Sequence, residues 1–229
     1  MSSQRPRTES KIFHEAGQRL VLTTRGPHVE LMIGRVPILT SKALGTEYAF
    51  GCIVRGLSIP AVAGRPRVLI GGLGFGSTLR GVLDSVGKRA EIIVAEKLTT
   101  VVNLVRGELS HLCEGALDDP RVTLLNEDVT KVIDRERDLS AILLDVDNGP
   151  DWGSFPENQF LYSQAGLAKA RRSLAKGGSY CVWSGYPADA FLKHLVRAQL
   201  ESSVIPLRER GKVRARAYVG TRPGRQSSE

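Results

Sequence analysis

The sequence predicts an α/β protein whose seven-stranded, mostly parallel sheet carries helices on both faces. Three observations support this. Short apolar runs that end in glycine or an acid recur from residue 67 onward, and apolar residues return at helical spacing between them. The length, 229 residues, suits one such domain and a small appendage. Alternating elements of this kind join parallel strands through right-handed crossovers, so the sheet is wound on both sides.

Along the chain, residues 1–10 read as a disordered leader and Arg222–Glu229 as a frayed tail. Between Arg19 and Leu39, the residues Leu20, Leu22, Val29, Leu31 and Ile33 alternate with polar neighbours around Gly26-Pro27, which predicts a small β-hairpin. A helix is expected over 42–59. Residues 1–60 thus form an N-terminal extension and 61–229 the main domain.

Val68-Leu69-Ile70 is the first strand of that domain, and Leu79, Val82, Leu83 and Val86 mark the helix after it. Glu91–Glu96 is the second strand, and Leu98, Val101, Val102, Val105, Leu109 and Leu112 form the stripe of one long helix. Arg121–Leu125 and Ala141–Asp145 are the third and fourth strands. A helix over about 161–175 is expected to end at Gly177-Gly178, as glycines often cap helices. Ser179–Trp183, a helix from Ala188 to Val196, and strands near 203–207 and 213–219 complete the pattern.

Composition narrows the function. Apolar residues make up 41% and charged residues 24%, ordinary for a soluble globular protein. No apolar run reaches the ~18 residues of a membrane span, and the polar start is unlike a signal peptide, so a cytoplasmic protein is expected. Cys52, Cys113 and Cys181 lie far apart, and the four histidines show no ligand spacing, so no metal is expected. The formal charge is +8, with much of the excess in Arg208, Arg210, Lys212, Arg214, Arg216, Arg222 and Arg225. Without an aromatic-basic motif this reads as a solvated basic surface, and nucleic acid is not the expected partner.

The chemistry is carried by strand ends. Gly71, Gly72, Gly74 and Gly76 stand in a turn between strand and helix, where a backbone without side chains can approach a ligand. Glu96 closes the next strand, 25 positions beyond Gly71, where a carboxylate can accept hydrogen bonds from ribose hydroxyls. Asp128 follows the third strand and can meet an adenine amino group or cap the next helix. Features in register on three successive strand ends point to a nucleoside cofactor of the S-adenosylmethionine type. The fold expected is therefore the Rossmann-like one of class I S-adenosylmethionine-dependent methyltransferases. Asp145 ends the fourth strand and Asp147 follows in an Asp/Asn/Gly/Pro-rich turn. Paired carboxylates there can take a proton from an attacking amine or orient a cation. Trp152, Phe155, Phe160 and Tyr162 can wall a substrate pocket. His14 and Glu15, near the expected cofactor mouth, read as surface residues.

These stretches resemble the spermidine synthase family of aminopropyltransferases, in particular its short, methyltransferase-like bacterial members. The resemblance rests on the strand–GGxGxG–STLR segment, Glu96, Asn126-Glu127-Asp128, LLDVDNGP at 143–150, Leu161-Tyr162, LTSKALGTE at 39–47 and Val182-Trp183-Ser184. It implies that the four turn glycines cradle the cofactor, Glu96 holds the ribose, Asp128 meets the adenine and Asp145 is the catalytic acid position. Glu47, Trp152 and Tyr162 are expected on the acceptor side, with a homodimer as the assembly.

Two departures bear on the chemistry. The family carries an aspartate within the glycine turn for the ammonium end of decarboxylated S-adenosylmethionine, whereas here the turn holds Leu73 and Phe75. The family's D-x-x-D pair becomes Asp145-Val146-Asp147. An ammonium in a desolvated site needs carboxylate partners. The sequence alone therefore favours ordinary S-adenosylmethionine and methyl transfer to a small molecule. Aminopropyl transfer from the decarboxylated cofactor is the second reading, and a silent cofactor-binding or RNA-associated protein the third.

Overall fold

A computed structural model describes residues 8–150 and 158–224. Four antiparallel strands open it: β1 (Thr8–Glu15), β2 (Gln18–Arg25), β3 (His28–Ile33) and β4 (Val36–Thr40), paired in that order. The alternating residues Leu20, Leu22, Val29 and Leu31 are its buried face. The leader expected at residues 1–10 is corrected at Thr8–Ser10, which lie in β1. An exposed edge strand needs only backbone partners, so it leaves little apolar pattern to read.

Helix α1 (Leu44–Cys52) ends in a 3₁₀ turn at Ile53–Gly56, shorter than the helix expected over 42–59. The main sheet contains β5 (Arg67–Gly71), β6 (Glu91–Ala95), β7 (Val122–Leu125), β8 (Leu139–Leu144), β9 (Leu174–Ser184), β10 (Glu201–Glu209) and β11 (Lys212–Thr221). Their order is β10-β11-β9-β8-β5-β6-β7, parallel from β5 to β9 with β10 and β11 antiparallel. This is the seven-stranded, mostly parallel sheet expected.

The connecting helices are α2 (Ser77–Leu83), α3 (Thr99–Arg106), α4 (Ser110–Cys113), α5 (Val129–Arg135), α6 (Gln159–Tyr162), α7 (Gln164–Ser173) and α8 (Ala190–Arg197). The single helix expected over 98–112 is divided at Gly107, whose backbone leaves helical space. Gly177-Gly178 do not cap a helix. They lie within β9, where Gly177 N–H donates to the Arg222 carbonyl and the register to β8 jumps from Leu139–Leu174 to Ala141–Ser179. At this bulge Leu139 O lies 2.7 Å from where a Cβ on Gly178 would stand, so the close approach requires glycine.

Alternation along each strand feeds two apolar layers. Val68, Ile70, Val94, Phe50 and Leu79 form one, beneath α1 and α2. Leu69, Ile93, Ile142, Val132, Leu167 and Phe191 form the other, beneath α5, α7 and α8. Among the described residues no helix is long and apolar enough to cross a membrane.

Candidate active site

Strand β5 lies between β8 and β6, so the chain leaves the middle of the sheet in both directions. Loops diverge at such a point and open a crevice at the carboxyl ends of the strands. The turn after β5 forms one lip. Gly72 has φ +89°, and a Cβ there would stand 2.3 Å from Asp145 O, so the turn fits against the end of β8 only with glycine. Gly74 faces the crevice, with Leu39 Cδ2 3.7 Å from its Cβ position.

A cavity of about 430 Å³ fills the crevice, lined by Gly72, Gly74, Glu96, Lys97, Asp128 and Asp145 among others. Glu96 is 8% exposed, and its two oxygens accept from Leu73 N–H at 2.9 Å and Leu98 N–H at 2.8 Å. Burial pushes its carboxyl above the ordinary range, and these backbone bonds oppose the rise. Asp128 caps α5 through Thr130 N–H at 2.8 Å, while its other oxygen lies 3.8 Å from Lys97 Nζ. One Asp128 oxygen thus serves the helix, and the second lies toward Lys97, which also lines the cavity.

A smaller cavity of about 80 Å³ continues from it, sharing Leu39, Gly74 and Asp145 and adding Glu47, Asp147 and Trp183. Its acids come from separate elements. Asp145 and Asp147 follow β8, whereas Glu47 arrives on α1, which crosses α2 at backbone contact. A Cβ on Gly51 would meet Thr78 O at 2.2 Å, and one on Gly81 would meet Tyr48 O at 2.2 Å. That approach sets Glu47 beside the start of α2. The Thr78 hydroxyl there lies 2.6 Å from Asp145 Oδ2 and 3.2 Å from the Glu47 carbonyl oxygen. Its one proton serves one of them at a time.

Both carboxyls are half-buried and deep enough to be poorly solvated. Burial pushes Asp145 up to about 6, against a hydrogen bond from Thr78 that lowers it. Glu47 is pushed well above the ordinary range, first by burial and then by the Asp145 charge. Asp147 is held differently, accepting from Asn158 Nδ2 and Tyr162 Oη, each at 3.1 Å. Like charges close together in a dry site favour proton retention until a cation arrives.

The cavities thus bring together Gly72, Gly74, Glu96, Asp128, Asp145, Asp147 and Glu47. Gly71 and Gly76 are not among the lining residues. Their missing side chains leave room for Leu144 and Val129, and for Cys113 Sγ, respectively. Tyr162 stands behind Asp147, its ring edge-on to Phe191 at 5.9 Å. Trp152 and Phe155 lie outside the described residues, and Phe160 is 38% exposed. Sequence reasoning missed Thr78 as a partner of Asp145 and took Glu15 as a surface residue. The structure instead puts Glu15 on the larger cavity. Glu15 carries no motif of its own, and the STLR segment that holds Thr78 gives no sign of its partner. Among the described residues no group of three or more His, Cys, Asp and Glu could hold a metal.

No protein-family model matches the chain. Over 180 residues it is 31% identical to a polyamine aminopropyltransferase of Mycobacterium tuberculosis, covering 76% of this chain and 32% of that protein. The chain spans about a third of the length of that curated relative. Among solved structures, spermidine synthase from Thermotoga maritima superposes with a TM-score of 0.69 at 17% identity, over 94% of this chain and 73% of that one. A spermidine synthase in complex with the transition-state analogue AdoDATO gives 0.68 at 17% identity, over 92% and 71%. At that identity the superpositions establish the fold.

Proposed function

For a chain that is spermidine synthase-like in sequence and fold, we propose aminopropyl transfer from decarboxylated S-adenosylmethionine to a small amine. The observation that carries this reading is the pair of poorly solvated carboxylates, Glu47 and Asp145, on the cavity beyond the glycine turn. The sequence-based preference for ordinary S-adenosylmethionine is revised. It rested on a shortage of acids, and it did not count Glu47 as a neighbour of Asp145. A cofactor carboxylate beside this pair would be repelled, whereas an ammonium would be neutralised. The relatives' aminopropyltransferase names agree.

The larger cavity suits the nucleoside. Glu96 and Asp128 offer acceptors to ribose and adenine, and the Gly72–Gly74 backbone allows close approach. When bound, the cofactor supplies a sulfonium-activated carbon, at which an amine nitrogen forms a C–N bond while the C–S electron pair passes to sulfur. Asp145 takes the proton that the new ammonium releases, a role its raised pKa suits near neutral pH. Asp147, fixed by Tyr162 and Asn158, orients the amine. Glu47 balances the charge of the aminopropyl ammonium.

The test is a side-by-side titration of the two cofactors, then incubation with putrescine and product analysis. The decarboxylated form is expected to bind ten-fold or more tighter, as one charged partner contributes ~1.5–3 kcal/mol. Glu47→Gln should narrow the gap. Equal affinity, or methylated product, would return the first reading to favour.

A further inference from the structure

Strand β1 is the exposed edge of the N-terminal sheet, with Ile12 53% exposed and Phe13 half-buried. Hollows of about 270 and 330 Å³ separate it from the α3–α4 region, lined in part by Lys11, Phe13, Thr100 and Glu108. Two polar fasteners span the gap. One is the Lys11–Glu108 ion pair. The other is Glu15, whose Oε1 accepts from Thr99 N–H at 2.6 Å and Oε2 from Thr100 N–H at 2.9 Å.

Those two amides open α3 and have no partner within their own helix turn, so a carboxylate there meets both unpaired donors and the helix dipole. The preceding amide, Leu98 N–H, donates to Glu96. Three consecutive amides are therefore divided between the cavity acid and the hairpin. Just beyond Glu15 the chain reverses at Ala16 (φ +50°) and Gly17 (φ +74°), and Glu15, Ala16 and Gln18 all line the larger cavity with Glu96 and Asp128.

We infer that Glu15 is a positioning residue: it fastens the β1–β2 tip across the larger cavity and so sets nucleoside affinity without touching the reacting atoms. This rests on the nucleoside reading of that cavity. β1 and the turn after it are the loosely held part of that wall: β2 is anchored by buried Leu20 and Leu22, whereas β1 pairs on one side only and meets α3 and α4 through Phe13 and the two polar contacts. Freed at Glu15, the tip loses its register over the cavity, and closing it again costs the bound state part of its affinity.

The experiment uses the full chain as wild type, Glu15→Ala and Glu15→Gln. Calorimetry with 5′-methylthioadenosine and with S-adenosylhomocysteine reads nucleoside affinity under either transfer chemistry. Glu15→Ala should bind about ten-fold more weakly, and Glu15→Gln, which keeps one acceptor oxygen, should recover part of the loss. With saturating cofactor, kcat should stay within about two-fold. Hydrogen exchange should accelerate at Thr99 and Thr100 but not at Leu98. If the wild type binds neither probe, the nucleoside reading itself fails. If it binds and both variants match it, or if kcat falls at unchanged affinity, the role given to Glu15 is overturned. Glu15→Gln carries the test should the alanine variant not fold.

Discussion

The two ends of the crevice hold carboxylates in opposite ways. At the larger cavity the acids are already engaged by the backbone: Glu96 by Leu73 and Leu98, Asp128 by Thr130. Such groups are oriented before a ligand arrives, and their remaining lone pairs can accept from neutral hydroxyl and amino donors. At the smaller cavity the Thr78 hydroxyl lies between the Asp145 carboxylate and the backbone carbonyl of Glu47, and burial raises the proton affinity of both acids. That end therefore tends to keep protons when empty and can give them up, and become negative, when a cation arrives. On the proposed reading, one end recognises shape and hydrogen bonds and the other receives a cation.

The contrast is broken most directly at Asp145. Asp145→Asn should leave nucleoside affinity nearly intact and reduce turnover by ~100-fold or more, since it removes the proton acceptor and keeps the shape. Steady-state kinetics beside calorimetry decides it. Equal losses in binding and rate would make the two ends one functional unit.

The converse change is Glu96→Ala. Loss of an oriented acceptor should weaken cofactor binding by about 1–3 kcal/mol, roughly ten- to a hundred-fold, because ribose hydroxyls then face no partner. Gly74→Val should act in the same direction by narrowing the crevice, as Gly74 lines both cavities and has φ +53°. Unchanged affinity in both variants would remove the nucleoside from this end.

The smallest effect concerns pH, and its sign follows from the raised pKa values. In the unfolded chain both carboxyls ionise near their ordinary values, 3.8 for Asp145 and 4.5 for Glu47, while the folded protein holds their protons more tightly. Their contribution to stability is therefore fully present below about pH 4 and is lost as pH rises through about 6 and beyond. Glu47→Gln removes one of them. Its melting temperature relative to wild type should climb between pH 5 and 8, by about 2–4 °C for each kcal/mol relieved. Added putrescine should raise the wild-type value more at pH 8 than at pH 5. A constant difference across that range would mean that the pair is not strained.

Legibility follows the same division. The β5 turn, Glu96 and Asp128 were readable because each is local, a residue type at the end of an apolar run, and three such ends in register reinforce one another. Glu47 was visible only through resemblance, and its pairing with Asp145, 98 positions away, has no local signal. Glu15 read as surface for the same reason: its partners, Thr99 and Thr100, lie 84 and 85 positions further on.

What the sequence by itself determined is the sheet. Apolar runs such as Val68–Ile70 and Ala141–Leu144 bury both faces, and their alternation with helical stripes places them in a wound parallel sheet, which sets the edge on which the strand-end residues stand. The tertiary structure alone decided how charge is distributed around that edge. Gly51 against α2 and Gly81 against α1 allow a backbone-close crossing that delivers Glu47 to Asp145, and the hairpin brings Glu15 to α3. Desolvation and the field of one carboxylate at another depend on distance and surroundings in space, and neither is written in the order of residues along the chain.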